Sequence, residues 1–89
     1  MSWYVQFTPA AIRGLDRLPP RIATAIVEFT TTTLPNNPER MSKPLREDLA
    51  GYRSARRGDY RVLFSLDDAG RILLIERIAH RADAYRPLR

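Results

Sequence analysis

The stretch Arg53-Ser54-Ala55-Arg56-Arg57-Gly58-Asp59-Tyr60-Arg61-Val62-Leu63-Phe64 decides the fold. Gly58-Asp59 is a two-residue turn signal between two runs of period two, and glycine in the first turn position fits a type II′ hairpin. That turn sets the register: Arg57 opposes Tyr60, Arg56 opposes Arg61, and Ala55 opposes Val62. Ala55, Val62, Phe64 and Leu66 then share one face, the expected core. Arg56 and Arg61 share the other, with Cβ atoms about 5 Å apart. Tyr52 to Arg57 forms one strand and Tyr60 to Asp67 the next. Asp68-Ala69-Gly70 turns the chain again into Arg71 to Ala79, where Ile72-Leu73-Leu74-Ile75 predicts a strand covered on both faces.

Toward the N-terminus, Trp3, Val5 and Phe7 alternate with Tyr4, Gln6 and Thr8, which predicts a strand over 3–8. Trp3, Tyr4 and Phe7 read as core and sheet packing rather than a base-stacking platform. Thr8-Pro9 supplies an N-cap and a first-turn proline. Ala11, Ile12, Leu15 and Leu18 then recur at helical spacing over residues 9–18. Pro19-Pro20 ends that helix and opens a second, whose buried face is Ile22, Ala23, Ile26, Val27 and Phe29. Thr30 to Thr33 is β-branched and should fray the helix, and Leu34-Pro35-Asn36-Asn37-Pro38 stops it. Residues 38–51 carry no clean period and read as a loop with room for one helical turn. The polar tail, His80 to Arg89, is long enough for one more. The element order predicts a single α+β domain over residues 1–89: an N-terminal strand and a helical hairpin packed on a mostly antiparallel four-stranded sheet. Connections between the last three strands are too short for parallel crossovers.

Composition narrows the chemistry. Among 89 residues there is no cysteine and one histidine, which excludes a disulfide framework, a thiol nucleophile and a Cys/His metal cage. No cofactor and no metal are expected. No apolar run approaches the roughly 18 residues of a membrane span. The start, Met1 to Phe7, lacks the charged region and long apolar run of a signal peptide. The expectation is a cytoplasmic protein with no membrane partner. The formal net charge is +5, and of fifteen Lys and Arg residues only Lys43 is lysine. Arginine's planar fork suits phosphate, so nucleic acid is the first candidate partner. An arginine-rich codon usage would give the same count, so position must decide.

Two clusters carry that decision. Like charges directly opposite on a sheet are destabilising, so the Arg56–Arg61 pair points to a phosphate cradle. The competing arrangements have both side chains extended into water, or a carboxylate such as Glu76 between them. The second cluster is His80-Arg81 with Tyr85 four residues after the arginine. Histidine is the side chain that most readily exchanges protons near neutral pH. A lone His or Tyr at a strand end also commonly packs without any chemical role. Arg13, Arg17 and Arg21 are spaced by four, but the proline pair interrupts their stripe, and a solvated face is the better reading. No Ser-His-Asp order, metal-ligand spacing or glycine-rich phosphate loop is present.

Tyr4-Val5-Gln6-Phe7-Thr8, Leu15-Asp16-Arg17-Leu18-Pro19, Lys43-Pro44-Leu45, Ser54 through Val62, and His80-Arg81 with Tyr85 together resemble the RelE-type toxins of bacterial toxin–antitoxin modules. The likeness spans essentially the whole chain. It implies a helical hairpin on an antiparallel sheet and metal-independent cleavage of messenger RNA in the ribosomal A site. It also implies a cognate RelB-like antitoxin that holds the toxin inactive. By position, Arg61 would hold the scissile phosphate and stabilise its developing charge, with Arg56 used for the same purpose. Arg81 would assist with phosphate or leaving-group charge, Tyr85 would take part in proton transfer, and His80 would act as acid or base. Arg53, Arg57, Lys43 and Arg46 would contact RNA. Ser54 stands where some family members carry another basic residue. Two alternatives are a ParE-like relative that poisons DNA gyrase by binding, and a basic module that only binds nucleic acid or a partner. The second predicts salt-dependent binding without a product.

Overall fold

Thr8 ends the first strand and starts the first helix in the computed structural model, which describes residues 3–88. Its hydroxyl accepts from the Ala11 N–H at 3.1 Å and Pro9 fills the first turn, the cap and start expected from Thr8-Pro9. Strand β1 (Tyr4–Phe7) thus leads into α1 (Pro9–Asp16), and the proline pair separates it from α2 (Pro20–Glu28). Ala11, Ile26 and Phe29 are buried, with Leu15, Leu18 and Ile22 packed against them. Tyr4, Ile12 and Val27, expected on packed faces, are exposed. Ile12 and Val27 each sit one residue, about 100° of turn, from the fully buried Ala11 and Ile26, which carries them off the inward stripe.

The threonine run does not fray. Phe29–Thr33 continues α2 as one turn of π-helix, followed by a 3-10 turn over Leu34–Asn36. Thr30 and Thr31 donate their hydroxyls to the Val27 carbonyl and Thr32 donates to that of Glu28. Side-chain bonds of this kind compete with the ladder and loosen it. Pro35, lacking an N–H, cannot tighten it again. The Leu34 N–H instead reaches back to the Phe29 carbonyl, an i→i+5 bond. That wider turn stacks Leu34 over Phe29, and both enter the core.

The sheet has five strands in the order β1-β5-β4-β3-β2, one more than the four predicted. The addition is β2 (Ser42–Pro44), within the segment read as a loop. It pairs antiparallel with β3 (Arg53–Arg57) and is too short, and too polar, to show a period. Strands β3, β4 (Tyr60–Asp67) and β5 (Ile72–His80) are antiparallel neighbours, and β1 joins β5 in parallel. The 38–51 segment also holds the single helical turn allowed for it, Glu47–Leu49. The hairpin register is as expected, with Arg57 opposite Tyr60, Arg56 opposite Arg61, and Ala55 opposite Val62. Gly58 alone of the two turn residues has positive φ, 61°, as a type II′ turn requires.

One face of the sheet carries Ala55, Val62, Phe64, Leu73, Ile75 and Ile78 against the helices. Gly14 brings α1 close to β5, since a Cβ there would lie 2.5 Å from the Ile78 carbonyl oxygen. The opposite face is covered only in part, by Leu49 and Ala84 packed on Leu63. A bulge in β5 divides the strand. Phe64 opposes Ile75 while Leu63 opposes Arg77, so Glu76 is the extra residue. Thr8 donates its hydroxyl to the Glu76 carbonyl at 3.2 Å, tying the bulge to the helix start. Beyond the bulge the alternation is offset by one. Ile78 and His80 face the helices, and Arg77 and Ala79 face the other way.

Candidate active site

The uncovered sheet face holds a cleft of about 500 Å³. Its floor comes from the hairpin: Ser54 and Arg56 of β3 and Arg61 of β4 alternate with core residues and so must face away from the helices. Arg40, Met41, Ser42, Lys43, Pro44 and Leu45 form one rim, and Tyr85, from the tail, the other. Arg40, Lys43, Arg56 and Arg61 give the cleft four cations. No ion pair joins Arg56 or Arg61 to a carboxylate among the described residues, and Glu76 does not lie between them. Arg61 donates from Nη1 to the carbonyls of Gly58 and Tyr60, both at 3.1 Å, which anchors one end of its guanidinium to the hairpin turn. Among the described residues its remaining N–H donors meet no acceptor.

Tyr85 is about half exposed, and its hydroxyl lies 3.0 Å from Oγ of the buried Ser54. Serine at this position thus meets the tyrosine hydroxyl directly at the cleft floor.

Of the residues singled out in the sequence, Arg56, Arg61, Tyr85 and Lys43 are brought together here. Others are not. His80 lies on the helix side of the sheet, opposite Tyr60, where the two rings meet edge to face at 5.6 Å. Its Nδ1 accepts from the Ala82 N–H, so it braces the tail rather than lining the cleft. The bulge at Glu76 accounts for the difference, since uninterrupted alternation from Ile75 would have turned residue 80 the other way. Arg53 and Arg57 share the helix-side parity. Arg53 donates to Oγ of Ser42 at 2.7 Å and to the Glu39 carbonyl, a structural tie that occupies its guanidinium. Arg57 stands beside Glu28, Phe29 and Thr32 of the second helical segment. Arg46 is exposed ahead of the Glu47–Leu49 turn and outside the cleft lining. Arg81 caps the end of β5, its N–H donating to the Asp59 carbonyl at 2.8 Å, also outside the lining.

Sequence reading passed over Arg40, Met41 and Ser42, which sit in an aperiodic segment and reach the cleft only because β2 pairs with β3. It also passed over Arg77, whose guanidinium binds three tail carbonyls. Among the described residues no group of three or more His, Asp or Glu stands together to hold a metal ion. No helix is long and apolar enough to cross a membrane.

The helical hairpin covers one face of a mostly antiparallel sheet, and a basic cleft opens on the other. A family model described as ParE toxin of type II toxin-antitoxin system, parDE, matches residues 5–85. Toxin RelG of Mycobacterium tuberculosis is 51% identical over 86 residues, 97% of this chain and 99% of that protein. Toxin RelE of the same organism is 51% identical over 84 residues, 94% of this chain and 87% of that one. The solved toxin-antitoxin complex RelBE2 from M. tuberculosis superposes with a TM-score of 0.87 at 48% identity, over 91% of this chain and 100% of that one. The intact E. coli RelBE complex shares the fold at a TM-score of 0.72 and 12% identity, over 89% of this chain and 96% of that one. The chain belongs to the RelE/ParE superfamily of type II toxin–antitoxin toxins, as a RelE-type member.

Proposed function

We propose that this toxin is a metal-independent endoribonuclease that cuts messenger RNA in the ribosomal A site and so halts translation in the cytoplasm. The observation that carries the reading is the Arg56–Arg61 pair, unneutralised by carboxylate, in one cleft with the Tyr85 hydroxyl. RNA can be cut by its own 2′-hydroxyl. The 2′-OH gives up a proton, O2′ bonds to phosphorus, and the bond to the 5′-oxygen breaks as that oxygen takes up a proton. A 2′,3′-cyclic phosphate and a 5′-hydroxyl result.

The step needs alignment, proton transfer and charge stabilisation on the five-coordinate phosphorus. Arg61, with part of its fork fixed on the turn carbonyls, is suited to grip a phosphate oxygen, with Arg56 beside it. Arg40 and Lys43 extend the positive wall along which an RNA backbone would run. Tyr85 is the group in the cleft suited to proton transfer at O2′ or the 5′-oxygen. Arg81 stays outside the cleft lining and would reach the leaving group only if the RNA extends past the hairpin tip. His80, on the helix side, has no part in this reading. The cleft is shallow and its wall short, which favours alignment of the message by the ribosome.

The partner we propose is a RelB-like antitoxin, acidic and partly disordered, that wraps the basic domain. Co-expression with the product of a neighbouring gene for a small acidic protein should give a joint peak on size exclusion.

The ParE description of the matching family model favours a second reading, poisoning of DNA gyrase by binding. Purified toxin added to translating ribosomes, and separately to gyrase with supercoiled DNA, separates the two. Cut message with unaffected gyrase supports the ribonuclease. Inhibited gyrase with intact message supports the alternative.

A further inference from the structure

Beyond His80 the tail, as far as Leu88, has no strand or helix, and its backbone N–H bonds lie at its start, from Arg81 to the Asp59 carbonyl and from Ala82 and Asp83 back to His80. Yet Tyr85 sits at a defined place in the cleft. On one side its hydroxyl meets Ser54 at 3.0 Å. On the other, the Arg77 guanidinium donates to three carbonyls that bracket it. Nη1 reaches Ala84 at 3.0 Å and Arg86 at 2.5 Å, and Nη2 reaches Pro87 at 3.1 Å. Arginine's planar fork of donors can satisfy several carbonyls at once, which a lysine point charge does less well. Near Tyr85 the other supports are the buried Ala84, packed with Leu88 on Leu49 and Leu63, and the exposed Asp83–Arg86 pair. The Glu76 bulge is what turns Arg77 to this face.

We propose that Arg77 is the positioning residue for Tyr85, a clamp that holds the tail backbone so that the tyrosine hydroxyl lies on the cleft floor. It touches no substrate; its donors are engaged by the tail. The kinetic consequence rests on the ribonuclease reading above, whereas the clamp itself does not.

The test uses the full chain with Arg77→Gln and Arg77→Lys. The first measurement, made without RNA, is NMR of the free protein: backbone heteronuclear NOEs at residues 84–86 and the Tyr85 ring shifts. Arg77→Gln should loosen the backbone at 84–86 and move the Tyr85 ring signals, leaving Val62, Phe64 and Ile75 unchanged. Arg77→Lys should fall between. A tail equally ordered in Arg77→Gln, with unmoved ring signals, overturns the clamp. Should Arg77→Gln fail to fold, Arg77→Lys decides alone, and wild-type tail order in it overturns the proposal.

The second measurement is single-turnover cleavage on programmed ribosomes. Arg77→Gln should slow it about 10- to 100-fold, the scale of a displaced catalytic group. In a Tyr85→Phe background the same substitution should have no further effect. An equal slowing in both backgrounds would show that Arg77 does not act through Tyr85. A wild-type protein that cuts no message speaks against the ribonuclease, and the NMR result still decides the clamp.

Discussion

Arg56 and Arg61 stand directly opposite each other across the β3–β4 ladder, and no carboxylate pairs with either among the described residues. Their settings differ. Arg61 is half-buried and tied to the Gly58 and Tyr60 carbonyls, whereas Arg56 is exposed and makes no such bonds. Cross-strand repulsion should therefore be relieved most cleanly by Arg56→Gln, which raises stability by about 0.2–1 kcal/mol at low salt. Denaturant melts at low and high salt check this, since screening should shrink the gain. Arg61→Gln loses its two carbonyl bonds along with the repulsion and should melt near the wild type. Its cleavage rate should fall about 10²–10³-fold, the scale of losing one preorganised donor at developing charge. A much earlier melt for Arg61→Gln would mark Arg61 as a structural cation.

Ser54 and His80 separate the two faces of the sheet. Ser54→Ala removes the hydroxyl that meets Tyr85 and should slow cleavage about tenfold, with Tyr85→Phe slowing it more. His80→Ala should slow cleavage less than Ser54→Ala or Tyr85→Phe, because its ring packs on Tyr60 on the other face and it reaches the cleft only through its bond to the Ala82 N–H. It should lower stability by about 0.5–1.5 kcal/mol through loss of that edge-to-face contact. Cleavage lost with His80→Ala while the Tyr85 ring signals stay unmoved would mean that the histidine reaches the RNA.

Gly14 is the point where α1 meets β5 most closely. Gly14→Ala gains about 1 kcal/mol in helix propensity. It also drives a methyl against the Ile78 backbone carbonyl, which cannot swing aside. Overpacking of this kind costs about 1–3 kcal/mol, so the net change should be destabilising and visible as a lower denaturation midpoint.

The hairpin and its opposed arginines were legible because a Gly-Asp turn fixes both register and face from local sequence alone. The Thr8-Pro9 helix start was legible for the same reason. What depended on pairing partners far along the chain was not. Strand β2 is three residues with no pattern of their own, so the part of the rim built from Arg40 to Ser42 had no signal. The bulge at Glu76 is set by a strand mismatch and a bond from Thr8, sixty-eight residues away in sequence. Its effect is to exchange the faces of Arg77 and His80, which puts the arginine on the cleft side and the histidine on the helix side. Arg53 and Arg57, expected as RNA contacts, fall on the other face by the same period-two alternation that places Arg56 in the cleft. The threonine run was read from propensity, which does not anticipate that side-chain bonds to Val27 and Glu28 let the helix widen rather than end.

The central claim, that this cleft directs a 2′-hydroxyl onto the neighbouring phosphate, is tested most directly by the message itself. Ribosomes are programmed with an A-site codon that the toxin cuts, either all-ribose or with one 2′-deoxy nucleotide at the cut position, and the products are resolved by length and end chemistry. The account predicts cleavage of the all-ribose message to a 2′,3′-cyclic phosphate and a 5′-hydroxyl end, with no cut at the deoxy position. Cleavage of both messages at equal rates would contradict it.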